Sequence, residues 1–243
     1  MARRVRTCPR GPITPGIDVS TYQGVIDWSK VAASGVKFAY IRAGDGMGTD
    51  AQFARNWAGA KAAGVLRGAY VYFRARHGGV EQAQHLLAQL GKDTGELPPA
   101  IDIETLDGQT AAEVVAQMQA WLGAIGNAIG RNPVVYSGAF WQGHIASSAL
   151  SAYALWTPDY SDPHCPGVPL GWTDWKIWQH TSSGSVPGIT GRVDLNYFNG
   201  SEKELRRFAG QSSALWRLGL AILLLGGSYW AWRRYSGGRK RLR

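Results

Sequence analysis

The chain has 243 residues, 45% of them hydrophobic and 18% charged, which is enough apolar side chain for a folded core and excludes wholesale disorder. Two cysteines exclude a scaffold stapled by several disulfides and a four-cysteine zinc site. The net charge of +9 points to an anionic partner until it is divided along the chain: residues 1–10 hold four Arg and no acid, residues 201–243 hold ten bases against Glu202 and Glu204, and residues 11–200 hold twelve bases against fifteen acids. The basicity belongs to the ends, and a mildly acidic body argues against nucleic acid as a partner.

The first residues, Met1-Ala-Arg-Arg-Val-Arg-Thr-Cys-Pro-Arg10, carry the charge of a secretory leader, but Pro9, Gly11, Pro12 and Pro15 leave no apolar run behind it. No signal peptide is expected, and residues 1–12 read as a flexible basic leader. Cys8 falls in that leader, so Cys8 and Cys165 are expected as free thiols.

From residue 13 onward, short apolar runs bounded by Gly, Pro or Asp predict eight strands, at 16–20, 37–43, 68–73, 100–104, 133–137, 154–160, 175–180 and 192–198. Helical periodicity fills the first four gaps, at 27–34, 52–64, 79–90 and 110–130, and Thr110 with Glu113 forms the capping-box signature of the longest. A shorter helical stretch is expected near 140–150, and the later gaps read as loops. Strand–helix alternation predicts parallel strands with right-handed crossovers. The fold class is therefore α/β: an irregular TIM-like β/α barrel with eight strands and about five helices, depleted of helix in its last third. A doubly wound open sheet is the alternative, but no glycine fingerprint follows the first strand, and Gly44-Asp-Gly-Met-Gly48 is a lone glycine-rich turn.

After residue 208 the character changes. Residues 218–232 are fifteen residues without a charge, flanked by a basic tail from Arg233 to Arg243. As a helix they span about 22 Å, short of the roughly 30 Å of a bilayer core. Extending the segment back to Ser212 lengthens it to 21 residues and includes Arg217, which could snorkel. Residues 209–243 read as a membrane segment acting through residues 212–232. It either spans with a cytoplasmic C-terminus or lies on the surface as a cationic helix, and a buried helix fits its Arg-rich ends least.

In a barrel the active site lies at the C-terminal ends of the strands. Asp18 ends the first predicted strand, Asp102 and Glu104 end the fourth, and Asp194 lies in the eighth. A single acid in a strand is ordinarily a cap or an ion-pair partner. Asp102-Ile103-Glu104 is different, because residues i and i+2 of a strand share a face, about 6.5–7 Å apart. Two carboxyls held together in a low-dielectric mouth cannot both ionise cheaply, so one stays protonated near neutral pH and can serve as a general acid. A closed barrel also makes strands one and eight neighbours, which sets Asp18 beside Asp194. Metal binding competes for such acids, but His77, His85, His144, His164 and His180 are scattered, and no metal or cofactor is expected.

Aromatic residues complete the pattern. Eight of the eleven Trp fall between residues 11 and 200. Tyr70 with Tyr72, Trp156 with Tyr160, and Tyr136 and Trp178 on neighbouring strands predict a ring around the acids. Aromatic faces stack on the apolar faces of sugars, whereas a phosphate groove would need Lys and Arg. An acidic, aromatic cleft reads as a carbohydrate site.

Gly16-Ile-Asp-Val-Ser20 with Tyr22-Gln-Gly24 and Trp28 resembles the opening of glycoside hydrolase family 25, the Chalaropsis-type lysozymes. Phe38-Ala-Tyr-Ile-Arg42, Asp50-x-x-Phe53-x-x-Asn56, Gly68-Ala-Tyr70, Asp102-x-Glu104, Leu155-Trp156, Trp178-Gln179 and Gly191-x-Val-Asp194-Leu-Asn196 match in order, over residues 13–208. The resemblance implies an irregular eight-stranded barrel with five or fewer helices. It implies hydrolysis of the β-1,4 bond between N-acetylmuramic acid and N-acetylglucosamine in peptidoglycan glycan strands, by a monomer without cofactor. It implies Glu104 as the general acid and Asp102 as the carboxylate that orients the 2-acetamido group or stabilises oxocarbenium-like charge. Asp18 and Asp194 are implied as supporting acids. Two positions depart from the family: Ala43-Gly-Asp45-Gly46 stands where it usually has a Glu, and Val71 where it often has a His. The expected role is a phage lysis protein, membrane-associated and acting on the cell wall. The alternative is a non-catalytic, lectin-like wall-binding protein on the same barrel.

Overall fold

A computed structural model describes residues 4–210. Its elements in chain order are β1 (Val5–Arg6), β2 (Ile13–Val19), α1 (Trp28–Ala33), β3 (Phe38–Asp45), β4 (Gly48–Thr49), α2 (Phe53–Ala62), β5 (Leu66–Tyr72), α3 (Gly79–Leu90), β6 (Ala100–Asp102), α4 (Ala111–Ile129), β7 (Val134–Tyr136), β8 (Ala154–Pro158), β9 (Gly167–Val168), β10 (Ile177–Gly184), β11 (Val193–Asn199) and α5 (Glu202–Phe208). Eight of these strands close a barrel in the order β2, β3, β5, β6, β7, β8, β10, β11, with β11 returning to β2; β4 only extends β3 as a hairpin.

The strands obey a period of two that separates two cores. Phe38, Tyr40, Tyr70, Ala100, Val134, Tyr136, Trp156, Ile177 and Phe198 fill the barrel interior. The intervening residues, among them Ile17, Ala39, Ile41, Ala69, Ile101, Val135 and Leu155, face the helical shell. Two glycines make room for the interior rings: a Cβ on Gly16 would stand 2.3 Å from the Phe38 ring, and one on Gly68 2.5 Å from the Tyr40 ring. The shell helices are amphipathic, as the buried set Val114, Met118, Trp121, Leu122 and Ile125 of α4 shows. The Thr110–Glu113 capping box forms as the sequence predicts, with the Glu113 carboxylate accepting from the Thr110 N–H at 2.8 Å.

Four expectations are corrected. The first seven barrel strands run parallel, but β11 is antiparallel to both β10 and β2, because a tight connection rather than a crossover helix joins it to β10. The stretch near 140–150 is helical as expected but shorter, ending in a π-helical turn at Trp141–Ile145. An unforeseen helix, α5, follows the barrel; its Ser201–Glu204 capping box is the same signature that marks α4. Finally, the leader is not free: Cys8 and Cys165 form a disulfide, and β1 pairs antiparallel with β9. Nothing in the local sequence reveals a contact between positions 157 residues apart.

The membrane segment expected at residues 212–232 lies outside the described residues, and among the described residues no helix is long and apolar enough to cross a membrane.

Candidate active site

The C-terminal ends of the parallel strands surround a cleft of about 280 Å³ whose lining includes Asp18, Asp102, Glu104 and Asp194, together with Tyr70, Tyr72, Tyr136, Trp156 and Tyr160. The antiparallel turn of β11 is what delivers Asp194. The residue stands at the start of its strand, and reversal of that strand brings the start to the mouth, where it pairs in register with Asp18.

The four acids form two carboxyl pairs. Asp18 is almost fully buried and hydrogen-bonded to Asp194; burial and the neighbouring Asp194 charge push it well above the ordinary carboxylate range, against the pull of hydrogen bonds from Asn196 and Gln179. Asp194, less enclosed, is also raised by burial. Asp102 closes β6 and is likewise buried; burial, then the charges of Glu104 and Asp18, push it well above the ordinary range. The strand ends at Asp102, so Glu104 stands just beyond the ladder and open to solvent. Its carboxyl is still raised by the surrounding protein and by Asp194, with the Asp102 hydrogen bond opposing. One oxygen of Asp102, Oδ1, is buried without a hydrogen-bond partner among the described residues. Two carboxyls in contact hold a proton between them to higher pH than either would alone.

Amide side chains fix this arrangement. Gln179 donates through Nε2 to Asp18 at 2.9 Å, and its Oε1 accepts from the hydroxyls of Tyr136 and Tyr160. Asn196 donates through Nδ2 to the same Asp18 oxygen at 2.7 Å, while its Oδ1 accepts from the Trp156 indole at 2.8 Å. Arg42 is the one Lys or Arg among the residues that line the cleft. Its Nε is held 2.8 Å from Asp50, and its guanidinium lies 5.0 Å from the centroid of the Tyr22 ring. At the rim, Asp45 binds Arg74 through Nη2 at 2.8 Å, and that guanidinium caps the Tyr72 ring at 4.6 Å.

Of the ten residues that the sequence nominates, nine meet at this cleft. Trp178 does not: it is buried on the shell side, packed against Trp175 and Tyr197, with its indole N–H donating to the Asp159 carbonyl at 2.7 Å. On β10 the inward positions are Ile177 and Gln179, so strand alternation places Gln179, and not the tryptophan beside it, in the cleft. Gln179 and Asn196 were visible as members of matched motifs, but their function needed the register between strands remote in sequence. Trp156, though it lines the cleft, is almost fully buried and serves as its floor.

The chain is similar to several known proteins over most of its length. The chain is 35% identical to "Uncharacterized protein YegX" of Escherichia coli strain K12 over 201 residues, covering 79% of this chain and 72% of that one. It is 33% identical to "Lysozyme M1" of Streptomyces globisporus over 211 residues, covering 82% and 72%. The bacterial lysozyme of Streptomyces coelicolor superposes with a TM-score of 0.75 at 29% identity, over 82% of this chain and 98% of that one. The profile of glycosyl hydrolases family 25 matches residues 17–189, a span that holds Asp18, Asp102 and Glu104 and stops just short of Asp194, and the chain belongs to that family.

Proposed function

We propose that this chain is a muramidase that hydrolyses the β-1,4 bond between N-acetylmuramic acid and N-acetylglucosamine of bacterial peptidoglycan, with Glu104 as general acid. The observation that carries this reading is the asymmetry of the Asp102–Glu104 pair. Both carboxyls are raised, one is buried at the cleft floor, and the other reaches solvent at its mouth. Glu104 is the member able to hand a proton to the glycosidic oxygen as the bond breaks. Asp102, behind it, faces the positive charge that develops at the anomeric carbon, and its unpartnered Oδ1 is available to orient the 2-acetamido group. Asp18 and Asp194, tied in place by Gln179 and Asn196, support the same charge from across the barrel. Tyr70, Tyr72, Tyr136 and Tyr160 supply the aromatic wall against which sugar faces pack.

Cleavage of purified peptidoglycan by wild type and Glu104→Gln tests this directly. New reducing ends on muramic acid, lost in the variant, are expected. Equal cleavage by both removes Glu104 as the acid, and reducing ends on glucosamine assign the cut to the wrong bond. We further propose that the acetamido oxygen attacks the anomeric carbon with Asp102 steadying it, which retains configuration. An inverted first product in an NMR time course overturns that course.

The family places the action on the cell wall. The finer proposal, that residues 212–232 attach the enzyme to a membrane, is supported by their composition and the basic flank after them. Membrane fractionation with protease protection decides it, and quantitative recovery of the full chain in the soluble fraction contradicts it.

A further inference from the structure

A second lobe of about 580 Å³ adjoins the acid cleft and shares Glu104, Tyr136 and Tyr160 with it, while Asp18, Asp102 and Asp194 lie outside it. Glu104 thus stands between two lobes. The lobe that holds the other acids is where charge develops at the anomeric carbon, so the second lobe receives the sugar on the leaving-oxygen side. Part of its wall is unexpected: Arg4, from the amino-terminal segment that precedes the family match, is among its lining residues.

That segment is tied down at every residue. Val5 and Arg6 pair with Val168 and Gly167, the Thr7 N–H donates to the Pro166 carbonyl at 3.1 Å, the Thr7 carbonyl accepts from the Trp175 indole at 2.7 Å, and Cys8 is bonded to Cys165. Arg4 and Arg6 both reach the buried Asp159 carboxylate, at 3.3 and 3.8 Å. Asp159 also accepts from Ser161 and the Gly167 N–H and so clasps both ends of the loop that connects β8 to β9. The next residue along that loop is Tyr160, half exposed in both lobes, whose hydroxyl reaches Gln179 and through it Asp18. The strap, the loop and the active-site acids form one connected set of contacts.

We propose that residues 4–8 are a substrate-affinity element, a strap that holds the loop after β8 in place so that Tyr160 and the second lobe form the binding site for the leaving-side sugars of a glycan. The proposal rests on the glycosidase reading above. Arg4, Arg6 and Asp159 are positioning residues, because each acts through the loop and none is required to touch a reacting atom. The strap thus extends the wall of the groove on one side of Glu104.

The test compares the full-length chain with its Cys8→Ser/Cys165→Ser form, using soluble uncross-linked peptidoglycan glycan as substrate. Loss of the strap is expected to raise KM about tenfold, equivalent to about 1.4 kcal/mol, with kcat within about twofold. A merely structural disulfide would lower the melting temperature and leave KM unchanged, and that result in a folded variant overturns the proposal. Should the double variant not fold, Arg4→Ala keeps the disulfide and releases one tie to Asp159; a KM rise supports the strap and an unchanged KM overturns it. Binding of the same glycan to the Glu104→Gln chain, with and without the two cysteine substitutions, separates this inference from the catalytic one. Strap-dependent binding without hydrolysis by wild type sinks the muramidase reading alone, and equal binding by both chains sinks the strap alone.

Discussion

Acidic side chains meet two opposite fates at the two ends of this barrel. At the base, Arg67 is buried beneath α2, and all of its N–H groups are used. Asp93 accepts from Nη1 and Nη2 at 3.1 and 3.0 Å, Glu96 from Nη2 and Nε at 2.7 and 3.1 Å, and the Trp57 carbonyl from Nη1 at 3.3 Å. The Trp57 ring lies 4.4 Å beneath the guanidinium. The Arg67 hydrogen bonds, with help from Lys61, hold the Asp93 carboxyl below its ordinary range. At the mouth, four acids face one another with Arg42 as the single cation in the lining, and each is raised. Carboxylates matched to a cation stabilise a fold, whereas carboxyls matched to each other store a proton. The base therefore reads as structure and the mouth as chemistry.

The sharpest way to break that contrast is to remove the stored proton. Glu104→Gln is expected to lower kcat about 10³-fold, within the range for loss of a general acid, with the melting temperature little changed. Activity within tenfold of wild type on peptidoglycan would place the chemistry elsewhere. At the base the expectation reverses: Arg67→Met strands two acids and is expected to reduce stability by about 3 kcal/mol in a denaturant titration, with kcat preserved in the folded fraction. Asp102→Asn is expected to cost about 10²-fold in activity, read as kcat on the same glycan, because the developing charge loses its carboxylate.

The two ends also respond to pH with opposite sign. The fold favours the protonated form of the mouth acids, so their unfavourable contribution appears as pH rises above about 4, where an unfolded carboxyl ionises and the buried one does not. Asp102→Asn is accordingly expected to raise the melting temperature near pH 7 and to give no gain below about pH 4. Asp93 behaves oppositely: its contribution is present above the ordinary carboxylate range and fades as pH falls through it. The smallest effect on activity is reserved for Trp178→Phe, expected to leave kcat within about twofold while lowering stability by about 2 kcal/mol, because a buried ring loses volume and the Asp159 carbonyl loses its donor. A drop in kcat beyond about tenfold would return Trp178 to the cleft.

The sequence made the mouth legible because its signals are local. Asp102-x-Glu104 is a strand-end pair, and closure of eight strands makes the first and last strands neighbours, although it takes the reversal of β11 to bring Asp194 level with Asp18 at the mouth. The remainder depends on contacts between distant segments. Gln179 reads as an ordinary strand residue until the register across β10 shows that it joins Asp18 to Tyr136 and Tyr160. The basic leader looks flexible because its partners, Asp159 and Cys165, lie more than 150 residues away. Reversal of the last strand was hidden for a different reason: period-two patterning is the same in both directions, and only the short β10–β11 connection betrays it. The α5 cap, Ser201 with Glu204, is by contrast a local signal of the same kind as Thr110 with Glu113.

The central claim, that like-charged pairing at the mouth stores the catalytic proton while cation pairing at the base does not, is tested most directly by a carboxyl carbon NMR titration of the folded chain. Asp102 and Glu104 are expected to titrate above the ordinary carboxylate range, with the Glu104 midpoint moving in Asp102→Asn, and Asp93 is expected to titrate below it. Ordinary midpoints at Asp102 and Glu104, with no response of one to substitution of the other, would contradict the account.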